Sequence, residues 1–415
     1  MSHLRNPPHR ARTMLKPQPY LSSTRLPVAV AAFLCTSFVT ALRQGRGKRG
    51  AGSALSFLIF LCMASACRDN PDTEGSHSVI DNAAITLDSS EVSKLAVQPV
   101  ASISLKPVGD YPILSISSLQ VIGNDLYFID SKSTVVHGFD KNGNWRFSTS
   151  LKAGRRGPGA LIALALRSDT IFVADMNPAM GITMLSRAGK IIGNIDLQGR
   201  TTILGMVATP DALVLTHTSP DSVVRDGRGD FLSRVGTSGE LQPLGCIPDP
   251  LYAESLNRGG FYGKARFTGV AMTEDGIYCR QPVTPIVRRF TFAGDTLPSI
   301  SLIPPFYMRG EDRALSMNQL ELDKFDSHYT ENLQFYRSGN SFLSVYSIFD
   351  QGSNVRYYPL FRCTRSGASG EWRSCAIARM PKPPLAFLAP DTVITAQLTE
   401  SEADSLPMLK LSVLR

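Results

Sequence analysis

The sequence predicts an all-β fold, a six-bladed β-propeller of four-stranded antiparallel blades. The first observation behind this prediction is a phrase that occurs twice, at residues 125–143 and 169–189. Its acids Asp130 and Asp175 are 45 residues apart, and its glycines Gly143 and Gly189 are 46 apart. A period of that size, made of short strands and turns, is typical of a propeller blade. The second observation is that hydrophobicity alternates with period two almost throughout the chain beyond residue 95, as in β-strands.

The phrase can be followed through six copies. We predict the strands of blade one at Pro112–Val121, Leu126–Ile129, Val135–Phe139 and Trp145–Ser150, and those of blade two at Leu161–Leu166, Ile171–Ala174, Ile182–Leu185 and Ile191–Ile195. Weaker copies begin near residues 211, 275, 341 and 391. The last copy is one strand short, and an open ring would leave exposed edges. We therefore predict that the alternating run Ala96–Leu105 supplies the outer strand of blade six.

Net charge argues against a nucleic-acid partner. The chain carries a formal charge of +8, but residues 1–66 contain nine basic residues and no acid, so subtracting nine from +8 leaves −1 for the remainder. A nearly neutral domain lacks the general basic surface that nucleic-acid binding requires.

The first 66 residues have the features of an export leader. A basic segment at residues 43–49 precedes an apolar stretch, and small residues then lead to Cys67. The stretch is too short to remain as a membrane span. Ala64-Ser65-Ala66-Cys67 resembles the lipobox of bacterial lipoproteins, with Ala64 in place of the usual leucine. This resemblance implies cleavage before Cys67, acylation of Cys67, and a location in the cell envelope, on the periplasmic or cell-surface side of a bacterial membrane.

We predict three regions in the chain. Residues 1–66 form the leader, with a true start near residues 39–42; residues 67–94 form a polar tether; and residues 95–415 form the propeller. An alternative for the apolar run Leu26–Leu42 is a membrane helix. Either interpretation places the propeller outside the cytoplasm.

Four cysteines follow the leader and Cys67: Cys246, Cys279, Cys363 and Cys375. Cys363 and Cys375 flank a turn-rich stretch and are predicted to face each other across a hairpin. Cys246 and Cys279 would then pair by default, because an exported protein can form disulfides. Free buried thiols are the alternative. No cysteine or histidine spacing indicates a metal site, and we predict no cofactor.

The arrangement resembles the six-bladed NHL-like and TolB-like propellers, especially bacterial lipoproteins of unknown function. The resemblance rests on the strand pattern D-x-[IL]-[FY]-[FV]-x-D, the F-D-x-x-G turn and the linker Ala153–Gly159, and it covers roughly residues 95–415. Ala160 stands where the linker of that group carries an acid. The resemblance implies a propeller but names no ligand.

Propeller ligands usually bind over the central channel, on the face that carries the loops between blades. The repeat register places six basic residues there as candidate ligand-binding residues: Lys132, Arg155, Arg156, Arg200, Arg258 and Arg266. The same register adds Lys264 and the acids Asp130, Asp175 and Asp226. Clustered guanidinium groups bind carboxylate, phosphate or sulfate, whereas isolated ones are solvated loop charges. Insertions at residues 245–269 and 304–333 are expected to decorate this face.

No catalytic motif is present in the sequence, so no catalytic residue is assigned. The leading hypothesis is a lipid-anchored propeller that binds a ligand or an envelope protein through its loop-rich face. A metal-dependent hydrolase or lyase with its site in the central channel is the alternative, and a purely structural role in an envelope complex is the third.

Overall fold

A computed structural model of the chain describes residues 85–106, 111–151, 160–177, 179–198, 201–218, 230–236, 238–246, 269–281, 284–307, 331–350, 355–365, 372–398 and 406–415. All of the described residues belong to one compact unit, His77–Arg415. They form six sheets, each built on four antiparallel strands, which confirms the predicted six-bladed propeller. Two of these sheets carry a fifth strand at the outer edge.

The described chain begins with β1 (Ile85–Thr86), a 3₁₀ helix (Ser89–Glu91), β2 (Val92–Lys94) and β3 (Val97–Ser104). Blade one consists of β4 (Ser117–Ile122), β5 (Asp125–Asp130), β6 (Val135–Asp140) and β7 (Trp145–Ser150). Blade two consists of β8 (Leu161–Arg167), β9 (Thr170–Asp175), β10 (Ile182–Ser186) and β11 (Ile191–Ile195). Blade three consists of β12 (Ile203–Ala208), β13 (Leu213–His217), β14 (Leu232–Val235) and β15 (Leu241–Gly245).

Blade four consists of β16 (Gly269–Thr273), β17 (Gly276–Arg280), β18 (Ile286–Phe290) and β19 (Thr296–Ile303). Blade five consists of β20 (Glu331–Ser338), β21 (Ser341–Asp350), β22 (Val355–Arg365) and β23 (Trp372–Met380). Blade six consists of β24 (Ala386–Ala389), β25 (Thr392–Gln397), β26 (Met408–Leu414) and, from the N-terminal region, β3. Within the described ranges, no helix is long and apolar enough to cross a membrane.

The N-terminal strand β3 closes the ring. It pairs antiparallel with β26, from Met408 opposite Ser104 to Leu414 opposite Val97. The outer strand of blade six therefore comes from the other end of the chain, as the missing strand of the last repeat predicts. Beyond it, Lys106 forms a single bridge with Asn144 of blade one.

Residues 85–94 differ from the prediction, which placed them in the tether. β1 pairs in parallel with β19 at the outer edge of blade four, and β2 pairs in parallel with β23 at the outer edge of blade five. Together with β3, these strands cross the outer edges of three consecutive blades, and we call residues 85–104 the strap. Two half-buried strap residues, Leu87 and Val92, pack against the apolar cluster between blades four and five. The strap thus covers strand edges that would otherwise be open.

Alternation along each strand explains why the repeated phrase is apolar at successive positions. In β5, Leu126 and Phe128 belong to the cluster shared with blade six, while Tyr127 and Ile129 belong to the cluster shared with blade two. Successive side chains point to opposite faces of a strand, and both faces of a blade are buried by its neighbours. Among the described residues, one such apolar cluster lies between each pair of neighbouring blades.

Candidate functional site

The strand order defines two faces of the propeller. The loop face carries the segments between successive blades and the loops between second and third strands, such as 131–134 in blade one. The turn face carries the tight turns between first and second and between third and fourth strands. Gly143 and Gly189 occupy turns of the turn face with φ of 80°, a conformation that glycine adopts without strain.

On the loop face, the repeated acid Asp130 has a structural role. Its fully buried carboxylate accepts hydrogen bonds from Leu114 N (2.7 Å), Ser115 Oγ (2.6 Å), Lys132 N (3.0 Å) and Ser133 N (3.2 Å). Burial alone would raise the pKa of Asp130, but the hydrogen bonds from Ser115 and from the backbone hold it below the usual value. Asp130 therefore fastens the segment before blade one to the loop that follows β5.

Asp175 occupies the same place at the end of β9 and is also buried. Its carboxylate accepts a hydrogen bond from Asn177 N at 2.8 Å, in the loop that follows. Both acids are thus engaged with the local backbone, which is a loop-shaping role. Of the three loop-face acids that the sequence nominates, the remaining one, Asp226, lies outside the described residues.

His217 ends the second strand of blade three and is likewise buried. Its Nε2 lies 2.7 Å from Ser233 Oγ, and its Nδ1 lies 3.2 Å from the carbonyl oxygen of Thr218. Burial lowers the pKa of His217, against the opposing effects of the Thr218 carbonyl and the charge of Asp230. This histidine is a hydrogen-bonded core residue.

Arg280 ends the second strand of blade four, where the earlier blades carry Asp130, Asp175 and His217. It is paired across the sheet with Gly269, the first residue of the innermost strand. A Cβ atom added to Gly269 would lie 2.7 Å from Nε and 2.8 Å from Cζ of Arg280. The guanidinium group therefore lies over the bare backbone of Gly269, and the absence of a side chain at that position allows Arg280 to reach the propeller axis.

Arg280 reaches a cavity of about 570 Å³ that runs along the axis. The innermost strand of every blade contributes to its wall, and Arg280 is the one described lining residue from a second strand. Most described lining side chains are aliphatic; the polar ones include Ser118, Gln120, Gln334 and Arg280. Among the described lining residues there is no carboxylate and no imidazole.

Backbone groups add polarity to this cavity. Each innermost strand has one hydrogen-bonded neighbour, so its other edge presents N–H and C=O groups toward the axis. Leu164 N–H donates to Ser118 Oγ at 2.8 Å, which links the innermost strands of blades one and two. Toward the turn face the lining is apolar, with Met272 and Leu388 exposed. The cavity thus has an apolar body and a cationic group at its loop-face end.

The structure describes one of the six predicted ligand-binding residues. Lys132 is exposed on the loop face, and its backbone N–H donates to Asp130 and to Ser115 Oγ. The other nominated basic residues lie outside the described residues: Arg155, Arg156, Arg200, Arg258, Lys264 and Arg266. Most of the two predicted insertions and Cys67 lie outside them as well, and β20 begins at Glu331, within the second insertion.

The predicted disulfides, Cys246–Cys279 and Cys363–Cys375, are both formed. In the described part of the chain, no three His, Cys, Asp or Glu side chains are grouped so as to hold a metal ion.

Sequence reasoning missed Arg280 and Gly269. A signal was available, because the last position of the second strand is Asp in blades one and two, His in blade three and Arg in blade four. A loop-face residue that differs from its equivalents in the other blades is one that the fold itself does not require. The pairing of Arg280 with a glycine, however, depends on the strand register.

Comparison with known proteins supports the fold and assigns no family. No family model and no curated protein matches the chain. A solved structure of a DUF4221 family member from Bacteroides vulgatus has a TM-score of 0.59 and 13% identity, and the match covers 78% of this chain and 99% of that one. A protein described as exported, from Bacteroides fragilis, has a TM-score of 0.51 and 9% identity, covering 79% and 97%. At these identities the likeness shows that the chain shares their fold.

Proposed function

We propose that this propeller works outside the cytoplasm, held at a membrane by acyl chains on Cys67, as a binding module. Its ligand is a small molecule with an apolar body and an anionic end, bound in the axial cavity with the anionic end at Arg280. A cavity of about 570 Å³ lies within the range of roughly 300–1,000 Å³ common for small-molecule sites.

Three observations support a location outside the cytoplasm. Disulfides persist in oxidising environments. This chain forms two disulfides, and all four of their cysteines are buried. The leader pattern at residues 43–67 is that of an exported, lipid-modified protein. The similar Bacteroides fragilis protein is also described as exported.

The choice of ligand rests on the position of the Arg280 guanidinium group over the backbone of Gly269. A guanidinium group in a confined site forms paired, charge-assisted hydrogen bonds with a carboxylate or similar group. The aliphatic lining removes an apolar ligand body from water, while the backbone edges and Gln120 and Gln334 supply a few orienting polar groups. The positive charge of Arg280 in the wall favours an anion over a cation.

A fluorescent fatty-acid probe tests this proposal. We expect 11-(dansylamino)undecanoic acid to bind the mature protein with increased emission, and its methyl ester to bind at least tenfold more weakly. Arg280→Gln should weaken binding of the acid by about 10- to 100-fold, the loss expected for a charge-assisted hydrogen bond.

Gly269→Ala provides a second variant that retains the charge. Its added methyl group meets the end of the Arg280 side chain and displaces it, so binding should weaken although Arg280 is still present. Arg146→Gln, an exposed substitution on the turn face, is the matched control. Equal affinity of the wild type and Arg280→Gln for the acid would contradict the proposal. Capture from the native envelope of a protein partner that binds the wild type and Arg280→Gln equally well would also contradict it.

The lipid anchor is tested separately. Mass spectrometry of the mature protein from its native host should find acylated Cys67 at the N-terminus, and Cys67→Ser should release the protein from the membrane fraction. An unmodified Cys67 would exclude this anchor without affecting the cavity proposal.

A further inference from the structure

Acid–arginine pairs recur on the turn face. The repeated phrase begins with an aspartate, and in blade one Asp125 lies 3.3 Å from Arg146. In blade two, Asp169 lies 3.1 Å from Arg187. In each pair one aspartate meets one arginine of its own blade, and each arginine is substantially exposed. In blades one and two, therefore, each carboxylate pairs with one guanidinium group.

Blade four departs from this pattern. Asp275 pairs with Arg289 of its own blade at 3.1 Å and, in addition, with Arg337 Nη1 from blade five. Tyr278 Oη, 2.8 Å from Asp275 Oδ1, donates to this carboxylate and accepts a hydrogen bond from Arg337 Nη1. Both guanidinium groups lie against the Tyr278 ring, with Cζ at 5.5 and 5.9 Å from its centroid. Two arginines thus share one carboxylate.

A third arginine extends the group. Arg365, at the turn-face end of β22, stacks on Trp372 with Cζ 4.7 Å from the ring centroid. Its Nε is buried without a hydrogen-bond partner. Arg337 is opposite Phe342, and Phe342 is opposite Cys363, two residues before Arg365, so Arg337 and Arg365 lie on the same face of blade five near the turn face. Burial lowers the pKa of Arg365, and the positive charges of Arg337 and Arg289 lower it further. We call Arg289, Arg337 and Arg365 the arginine cluster.

The cluster combines excess positive charge with low exposure. The side chains of Arg289 and Arg337 are each 13% exposed, against 57% for Arg146 in the one-to-one pair of blade one. Asp275 neutralises one of the three positive charges. Glu274 is exposed and accepts a hydrogen bond from Gly339 N at 2.7 Å, so it lies at the solvent-exposed rim of the arginine cluster. Repulsion among poorly solvated like charges favours an additional anion.

We propose that the arginine cluster, between blades four and five on the turn face, binds a phosphate or sulfate group. Planar guanidinium groups match the tetrahedral oxyanions through paired hydrogen bonds. A phosphate monoester carries a charge of about −1.5 to −2 near neutral pH, which balances the surplus left by Asp275. The buried Nε of Arg365 supplies a donor without a partner, and the 31% exposed side chain of Asp275 marks the side open to solvent. This site lies on the face opposite Arg280 and does not depend on the proposed cavity ligand.

Binding of inorganic phosphate and of sulfate by the mature protein tests the proposal. At constant ionic strength, both should raise the thermal unfolding temperature and give a measurable calorimetric isotherm, whereas chloride and acetate should not. Arg365→Gln should weaken phosphate binding at least tenfold, while Arg146→Gln and Arg187→Gln, taken from the one-to-one pairs, should leave it unchanged. Arg280→Gln should also leave it unchanged, which separates this site from the axial cavity.

Two further variants keep the test decisive. If Arg365→Gln fails to unfold cooperatively, Arg365→Lys retains the charge but not the planar fork, and should still weaken phosphate binding. Residues 366–371, which join Arg365 to Trp372, lie outside the described residues and contain one acid, Glu371. Phosphate binding that occurs only in Glu371→Gln would overturn the proposal, because Glu371 would then be the counter-charge. Equal effects of phosphate and chloride would overturn it too.

A comparison of glycerol phosphate with vesicles of phosphatidylglycerol, against phosphatidylcholine vesicles, identifies the source of the group. Binding of glycerol phosphate alone assigns a soluble ester. Binding of the anionic vesicles, abolished by Arg365→Gln, assigns a lipid headgroup. Failure of both probes alongside failure of phosphate would exclude the site.

Discussion

Cys246 and Cys279 form a disulfide that joins two neighbouring blades. Cys246 directly follows the outer strand of blade three, and Cys279 lies in the second strand of blade four, 33 residues along the chain. Both side chains are buried in the apolar cluster between these blades. The bond therefore closes the loop of residues 247–278 and ties one blade interface covalently. Cys363–Cys375, with a separation of 12, instead links the third and fourth strands of blade five.

Loop length predicts unequal contributions of the two disulfides. A cross-link restricts the unfolded chain more when it closes a longer loop. Replacing Cys246 and Cys279 together by alanine should lower the free energy of unfolding by about 4 kcal/mol, and replacing Cys363 and Cys375 by about 3 kcal/mol. Chemical denaturation of both double variants measures the difference. Equal stability of the wild type and the Cys246/Cys279 variant would show that the bond is absent in the native protein.

Much of the fold was predictable because each blade is stabilised by local and repeated interactions. Tyr127 and Ile129 face blade two while Leu126 and Phe128 face blade six, so the phrase itself encodes burial on both sides. The missing strand of blade six was predictable for a different reason: a count of strands shows that the ring needs one more, and β3 supplies it.

The strap and the arginine at the axis were not predictable in the same way. Residues 85–94 are short and mostly polar, and their parallel pairing with β19 and β23 depends on edges formed by residues more than 200 positions away. Arg280 becomes a channel residue through its register with Gly269, which periodicity does not specify. Pairing across long sequence separations carries no local pattern.

Asp130 gives the second prediction. Asp130→Asn removes the charge that four donors share and leaves some of them unsatisfied in a buried place. We expect a loss of about 3 kcal/mol in unfolding free energy, since hydrogen bonds to charged groups contribute about 1.5–3 kcal/mol each. Lys132→Ala is the control: Lys132 is exposed in the same loop and donates to Asp130 through its backbone N–H, which alanine retains, so stability should change by less than about 0.5 kcal/mol. A change of similar size in both variants would refute the role assigned to Asp130.

Truncated chains separate the contribution of β1 and β2 to stability from the contribution of β3 to ring closure. A chain of residues 95–415 lacks β1 and β2 and the packing of Leu87 and Val92, so it should fold with about 2 kcal/mol less stability than residues 77–415. A chain of residues 107–415 also lacks β3, which leaves β26 as an open edge beside the cluster containing Leu409. This shorter chain should be insoluble or unfold without cooperativity. Soluble expression and denaturation curves decide, and a cooperatively folded 107–415 chain would refute closure by β3.

His137 predicts a pH dependence of stability. The side chain is fully buried in blade one, stacked on Phe128 with ring centroids 5.2 Å apart, and its Nδ1 lies 2.8 Å from Ser148 Oγ. Burial lowers the pKa of His137 to about 4, against the opposing charge of Asp130. Below the unfolded value of about 6.5, the unfolded chain takes up a proton that the folded protein does not. Stability should therefore fall as the pH drops from about 6.5 to 4, by up to about 3 kcal/mol from this residue.

Denaturation of the wild type and His137→Gln at pH 7 and pH 4.5 checks this expectation. The variant should lose less stability than the wild type over that interval, whatever its stability at pH 7. His217, whose pKa burial also lowers, contributes in the same direction, so His137→Gln should reduce the dependence without abolishing it. The aspartates with lowered pKa values, Asp130 among them, lose their contribution below about pH 4, because their unfolded pKa lies there. An unchanged difference between the two pH values in His137→Gln would show that His137 is protonated in the folded state.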